Sequence, residues 1–168
     1  YYGRQTERIG HLSKLAKSTG KPIVYVNMVG GNNELVFDGG SLVIDRQGKP
    51  CAKALSFEED LLIWDVSDTS NIDYPEEDIS YLHRGLTLGL RDYCKKLGVE
   101  NIILGLSGGV DSALAACLAV AAVGKDRVLA VSNHSKYTSR ESREDAGKLA
   151  ENLGIECRNM PIDDLFKA

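Results

Sequence analysis

The 168-residue chain lacks any cluster of basic residues: 20 lysines and arginines are dispersed among 24 acids, for a net charge of −4. Phosphate-backbone binding needs a concentrated positive patch, so a nucleic-acid partner is not indicated. Long apolar runs are also missing. The longest, Ala113–Val123, falls well short of the roughly 20 residues that span a bilayer. No charged leader followed by an apolar core opens the chain, so neither a membrane span nor a secretory signal is read here. Cysteine is sparse: Cys51, Cys94, Cys117 and Cys157 show no C-x-x-C spacing, which argues against a zinc site or a disulfide framework and fits a reducing cytoplasm. Cys117 lies in an apolar stretch and reads as core. The histidines His11, His83 and His134 stand alone, without ligand-pair spacing. No internal repeat or low-complexity tract is present. The first residue is Tyr, and both ends break off within apparent elements, so an internal piece of a longer protein is expected.

What the chain does contain centres on Asn101–Gly124, NIILGLSGGVDSALAACLAVAAVG. Asn101–Leu106 is short, apolar and rich in β-branched residues, as expected for a buried strand of a parallel sheet. Ala113–Val123 reads as a helix of small apolar residues, with Gly124 placed to end it. Between them lies Ser107-Gly108-Gly109-Val110-Asp111-Ser112. Two glycines permit positive φ, backbone N–H groups converge, and the following helix adds about half a positive charge at its start. Such a turn is suited to phosphate or pyrophosphate. It carries no lysine and is not G-x-x-x-x-G-K-[ST], so a Walker-type loop is a poor match. Asp111 would repel phosphate by itself; holding Mg²⁺ that bridges the phosphate oxygens would explain it. The plainer alternative is that Asp111 or Ser112 caps the helix.

Along the rest of the chain, Ile9, Leu12, Leu15 and Ala16 follow helical spacing within Gln5–Ser18, and Gly20 and Pro22 end that helix. Pro22–Val29 is expected as a strand buried on both faces, followed by turns at Gly30–Glu34 and Asp38–Gly40 around Leu35-Val36-Phe37. Ser41–Asp45 and Cys51–Leu55 form a hairpin, and Leu61–Val66 is a further strand. Ser67–Glu77 is acidic and turn-rich, a connector. Ile79–Leu97 is an amphipathic helix with Leu82, Leu86, Leu90 and Tyr93 as its packing stripe. Arg127–Val131 is a second parallel strand, and Asn133–Ser139 is a loop at its C-terminal end, where open α/β sheets bind ligands. Ser139 or Ser142 caps the next helix, whose buried stripe is Ala146, Leu149, Ala150 and Leu153. Ile155–Pro161 is a third strand, and Asp163–Ala168 starts another helix. GGNNELVFDGGS, glycine-rich as it is, has no following helix and is flanked by acids, so it reads as turns between strands.

LGLSGGVDSALA resembles the SGG-x-DS pyrophosphate loop of the N-type ATP pyrophosphatases, enzymes that cleave ATP between its α and β phosphates to adenylate an acceptor. Lys136-Tyr137-Thr138-Ser139 and the stretch from Glu144 to Ile155 are similar to the NAD synthetases within that group, although Ser132–Ser135 replaces a more apolar, proline-containing lead-in. YVNMVGG and FDGGS look like the C-terminal part of a nitrilase-type amidase, the glutaminase of glutamine-dependent NAD synthetases. The resemblance implies an α/β fold: residues 1–68 as the tail of an αββα sandwich, 69–77 as a linker, and 78–168 as the start of a Rossmann-like ATP-pyrophosphatase domain. Implied ATP contacts are Gly105, Leu106, Ser107, Gly108, Gly109, Val110, Asp111 and Ser112, with Asp111 on Mg²⁺. Arg4 matches a basic position that contacts glutamine, the alternative being an exposed arginine at a helix start. The Glu, Lys and Cys of the glutaminase fall upstream, so no catalytic residue is assigned and the chain alone is expected to be inactive. The implied ligands are ATP, Mg²⁺, deamido-NAD and glutamine or ammonia, in a cytoplasmic carbon–nitrogen ligase that is a homo-oligomer at full length. A GMP- or asparagine-synthetase-like amidotransferase, or a non-catalytic assembly fragment, stands as the alternative.

Overall fold

The computed structural model describes residues 3–68, 70–73 and 78–163. Residues 164–168, where a last helix is expected, and part of the expected connector lie outside them. The chain divides into two compact units, Tyr1–Gly89 and Leu90–Ala168.

In the first unit, helix α1 (Arg4–Thr19) ends at Gly20, whose left-handed backbone returns its N–H to the Ala16 carbonyl. Its inward face packs Ala16 on Leu42 and Ile44, with Ile9, Leu12 and Ile23 around them. Leu15, expected on that face, is exposed. The sheet beneath is antiparallel, in the order β1 (Ile23–Tyr25), β4 (Leu42–Ile44), β5 (Pro50–Lys53). Burial on both faces belongs to the central strand β4, all three of whose residues are buried. It does not belong to 22–29, where β1 is a short edge strand and Val24 and Val26 are exposed. The glycines after it are not a simple turn: β2 (Val29–Asn32) pairs with β3 (Leu35–Asp38) in a two-residue hairpin, with Asn33 at φ 53°. Asn tolerates that left-handed conformation better than most residues. Leu61–Val66 is not a strand; it joins no ladder, and Leu61, Ile63 and Val66 are exposed.

Helix α2 (Ile79–Leu97) opens with Asp78 Oδ1 accepting the Tyr81 N–H at 2.8 Å, and the division between units falls within it. Leu82, Leu86 and Tyr93 prove exposed. The packed stripe is instead Tyr81, Gly85, Leu88 and Gly89: the Tyr81 ring meets Phe57 at a 60° tilt with centroids 4.5 Å apart, and a Cβ on Gly89 would lie 2.8 Å from Val36 Cγ2. Glycines at that spacing let the helix approach closely, which a hydrophobicity pattern does not register.

The second unit carries the parallel sheet β6 (Ile102–Gly105), β7 (Val128–Ser132), β8 (Glu156–Asn159), with neighbours in sequence order. Helix α3 (Val110–Val123) follows β6, and α4 (Arg140–Leu153) follows β7. A single 3₁₀ turn, Lys125–Arg127, leads into β7. The core joins Leu106, Val128, Ala130 and Ile155 to Ala116, Ala119, Ala146 and Ala150, so both helices meet the sheet through small side chains. The result is the expected α/β arrangement, a Rossmann-like parallel sheet with crossover helices.

Candidate functional site

Strand β6 stops at Gly105; Leu106, 1% exposed, sinks into the core and fixes the start of the loop, its N–H bonded to Val131 O at 2.8 Å. Ser107–Gly109 then turn the chain at the C-terminal edge of the sheet, and α3 begins at Val110 with Gly109 as its N-cap. The helix therefore starts three residues earlier than its apolar pattern indicates, and Val110, Asp111 and Ser112 form its first turn. No side chain caps it, so the capping roles considered for Asp111 and Ser112 are both absent. The N–H groups of that first turn have no intrahelical acceptor. Asp111 is exposed in the turn and strengthens it through the helix dipole.

Within the loop the two serines close on one another, Ser107 Oγ to Ser112 Oγ at 3.0 Å. The Ser107 N–H donates to Ser112 Oγ at 3.2 Å, the Gly109 N–H donates to Ser107 Oγ at 3.2 Å, and Ser112 Oγ donates to Gly109 O at 3.0 Å. Gly108 has φ 82°, and a Cβ there would lie 2.8 Å from both the Cα and the carbonyl carbon of Ser142 and closer still to its oxygen. The loop is thus seated against the first turn of α4, a contact across 34 residues that the sequence does not announce.

Helix α4 is capped by Ser139, whose Oγ accepts the Ser142 N–H at 3.1 Å, as the serine spacing predicts. Arg143 donates to Ser135 O at 2.6 Å and to Thr138 O at 3.2 Å, which holds the loop after β7 on the helix. His134 Nδ1, in that loop, is buried without a hydrogen-bond partner. Among the described residues no three His, Cys, Asp or Glu side chains gather into a metal cluster. Asp111 is the one carboxylate of the loop, a hard oxygen donor of the kind Mg²⁺ takes.

Arg4, the other sequence candidate, belongs to the first unit and begins α1, with Nη1 3.0 Å from Glu7 Oε2. A second cluster in that unit was missed by sequence reading: Gln5, Arg8, Asn27 and Tyr81 converge on Asp38. Arg8 grips the carboxylate with both prongs, Nη2 to Oδ1 at 3.0 Å and Nη1 to Oδ2 at 3.1 Å. Asn27 Nδ2 donates to Oδ1 at 2.7 Å, Tyr81 Oη to Oδ2 at 2.6 Å and Gln5 Nε2 to Oδ2 at 3.2 Å; Gln5 also donates to Tyr81 Oη. Burial pushes the Asp38 carboxyl up, but the hydrogen bonds of Arg8, Tyr81 and Gln5 and the Arg8 charge outweigh it and hold it below the usual range. Nearby Lys53 is drawn down by burial and by Arg84, against the pull of Asp38.

With the loop and its helices in place, the likeness can be measured. Residues 82–168, just over half the chain, match the family model for NAD synthase. The chain belongs to the NAD synthase family. The glutamine-dependent NAD(+) synthetase of Synechocystis is 42% identical over 98% of this chain and 31% of its own length. That of Thermotoga maritima is 36% identical over 99% of this chain and 35% of its own. The solved structure of glutamine-dependent NAD+ synthetase from Acinetobacter baumannii in complex with ADP superposes at a TM-score of 0.89, with 37% identity, across 99% of this chain and 33% of that one. The chain spans about a third of the length of the curated relatives it matches.

Proposed function

We propose that this NAD synthase family chain supplies the pyrophosphate loop of a glutamine-dependent NAD synthetase, with residues 105–112 taking the phosphates of ATP. One observation carries the reading: a Ser-Gly-Gly loop between a parallel strand and a helix whose first turn has no side-chain cap. The Acinetobacter relative was solved in complex with ADP, which supports a nucleotide as the ligand. The amides of Ser107–Ser112 face the phosphate charge, and the Ser107 and Ser112 hydroxyls turn from one another toward phosphate oxygens. Asp111 would hold Mg²⁺, which supplies charge neutralisation for the departing pyrophosphate.

In the full-length enzyme the reaction is adenylation of the nicotinate carboxylate of deamido-NAD with release of pyrophosphate, followed by displacement of AMP by ammonia. The residues of this chain act by positioning and by electrostatic preorganisation. Residues 1–68 are the end of a nitrilase-like glutaminase domain that supplies the ammonia, 69–77 the linker and 78–168 the start of the synthetase domain. Arg4 clasps the glutamine carboxylate with paired hydrogen bonds. A cytoplasmic setting suits four cysteines, none of which forms a disulfide.

Asp111→Asn in the full-length enzyme, assayed with added ammonia, tests the loop. The change removes the anionic ligand and, through the helix dipole, costs the fold only about 0.3–1 kcal/mol. Synthesis is expected to fall by orders of magnitude with the melting temperature nearly unchanged, and to recover in part at high Mg²⁺ as a weakened site refills by mass action. Near-normal ammonia-driven synthesis would end the pyrophosphate-loop reading.

A further inference from the structure

Two loops leave the C-terminal edge of the parallel sheet side by side, and the phosphates of ATP account for one of them. The Leu106 N–H bonds Val131 O at 2.8 Å, so the phosphate loop starts where β7 ends, and residues 133–139 leave that strand beside it. Open α/β sheets bind ligands at this edge. The second loop is held in three ways. Its entrance is tied to the stretch after β8, by Met160 N–H to Ser132 O and Ile162 N–H to His134 O, each at 2.9 Å. Its tip turns on itself through Ser135 N–H to Thr138 Oγ1 at 3.1 Å, and Asp163 Oδ1 accepts the Lys136 N–H at 2.8 Å. The tie from the tip to α4 is Arg143, whose single Nη2 meets both Ser135 O and Thr138 O. The tip so held presents Tyr137, 76% exposed, with Lys136 Nζ 5.0 Å from its ring centre. An aromatic face is what a base stacks on, and a cation suits the phosphates attached to it.

We infer that Arg143 is a positioning residue for the nucleoside end of ATP: by holding Ser135 and Thr138 on α4 it presents Tyr137 to the base. Ser142, one residue earlier, is the backbone against which Gly108 is seated. The first turn of α4 thus backs the phosphate loop with its main chain and the neighbouring loop with a side chain. Cutting back Arg143 loosens the second loop from that turn and leaves the seat of Gly108 in place. The inference rests on the reading that residues 105–112 take the phosphates of ATP.

The test uses the full-length enzyme and compares Arg143→Ala, Tyr137→Ala and the double variant, with ADP and inorganic pyrophosphate as calorimetric probes. Tyr137→Ala is expected to weaken ADP about tenfold, the low end of what stacking on an aromatic ring contributes. Arg143→Ala should weaken ADP by up to the same factor and leave pyrophosphate unchanged. Lost charge alone would weaken pyrophosphate at least as much as ADP, so the split between the probes separates positioning from electrostatic attraction. Because Arg143 acts through Tyr137, the double variant should bind ADP no more weakly than Tyr137→Ala. Additive losses, equal weakening of both probes by Arg143→Ala, or normal ADP affinity in either single variant would overturn the inference and leave the phosphate-loop reading standing. A parent enzyme that binds neither probe would remove both. Should Arg143→Ala fail to fold, Arg143→Gln carries the same comparison, as a good helix former that lacks the charged donor.

Discussion

Replacing Gly108 by Ala probes the loop at its tightest point. At φ 82° a residue with a Cβ costs about 1–2 kcal/mol in backbone energy. The added carbon would also lie 2.8 Å from Ser142 Cα and carbonyl carbon, whereas 3.4–4 Å is ordinary contact. The obstacle is helix backbone and cannot swing away, so the loop must move by nearly an ångström. A displacement of that size at a reacting group can cost about a hundredfold in rate. Gly109 is the built-in control: its φ is −88°, and its Cβ would meet nothing closer than Ser107 Oγ at 3.4 Å. Gly109→Ala loses mainly N-cap preference, on the order of 1 kcal/mol. Ammonia-driven NAD formation by the full-length enzyme should therefore fall about a hundredfold in Gly108→Ala and less than about tenfold in Gly109→Ala. Equal damage in the two variants, or near-normal activity in the first, would refute the claim that the seat on α4 shapes the phosphate cradle.

Two predictions concern stability. Leu106, 1% exposed in the second core, should cost about 2–5 kcal/mol when cut to Ala, read by thermal or denaturant unfolding; a loss under about 1 kcal/mol would show that the loop's anchor is not packed as described. The Asp38 carboxyl sits below its unfolded value near 3.9. Its stabilisation is thus complete above about pH 4–5 and is lost as pH falls through the lower folded value. The melting-temperature gap between the parent and Asp38→Asn should shrink as pH falls below about 4; a gap independent of pH would contradict this.

The loop was legible because strand, turn and helix are local and each has its own composition. Helix α2 was legible in extent, Ile79–Leu97, but not in orientation: the apolar pattern selects Leu82, Leu86 and Tyr93, while Gly85 and Gly89 mark the face that approaches Val36 and Phe57. The hairpin of β2 and β3 was hidden because Gly30 and Gly31 read as turn residues and only their pairing with Phe37 and Val36 makes them strand. Asp38 was hidden for a related reason. Its partners lie 11 to 43 residues away in sequence, and only Gln5 and Arg8, three apart on one helix, gave a local hint. The Ser142 contact is likewise invisible to any window around SGGVDS.

That last contact ties the loop's shape to a distant helix. A motif of six residues suggests a portable device, yet the space around Gly108 is bounded by α4, 34 residues later in the chain. That helix follows β7, which pairs with β6 in the parallel sheet. The shape of the loop is therefore a property of the assembled sheet and its second helix. A synthetic peptide spanning the loop, or the loop transplanted without its second helix, would carry the same letters and lack that wall.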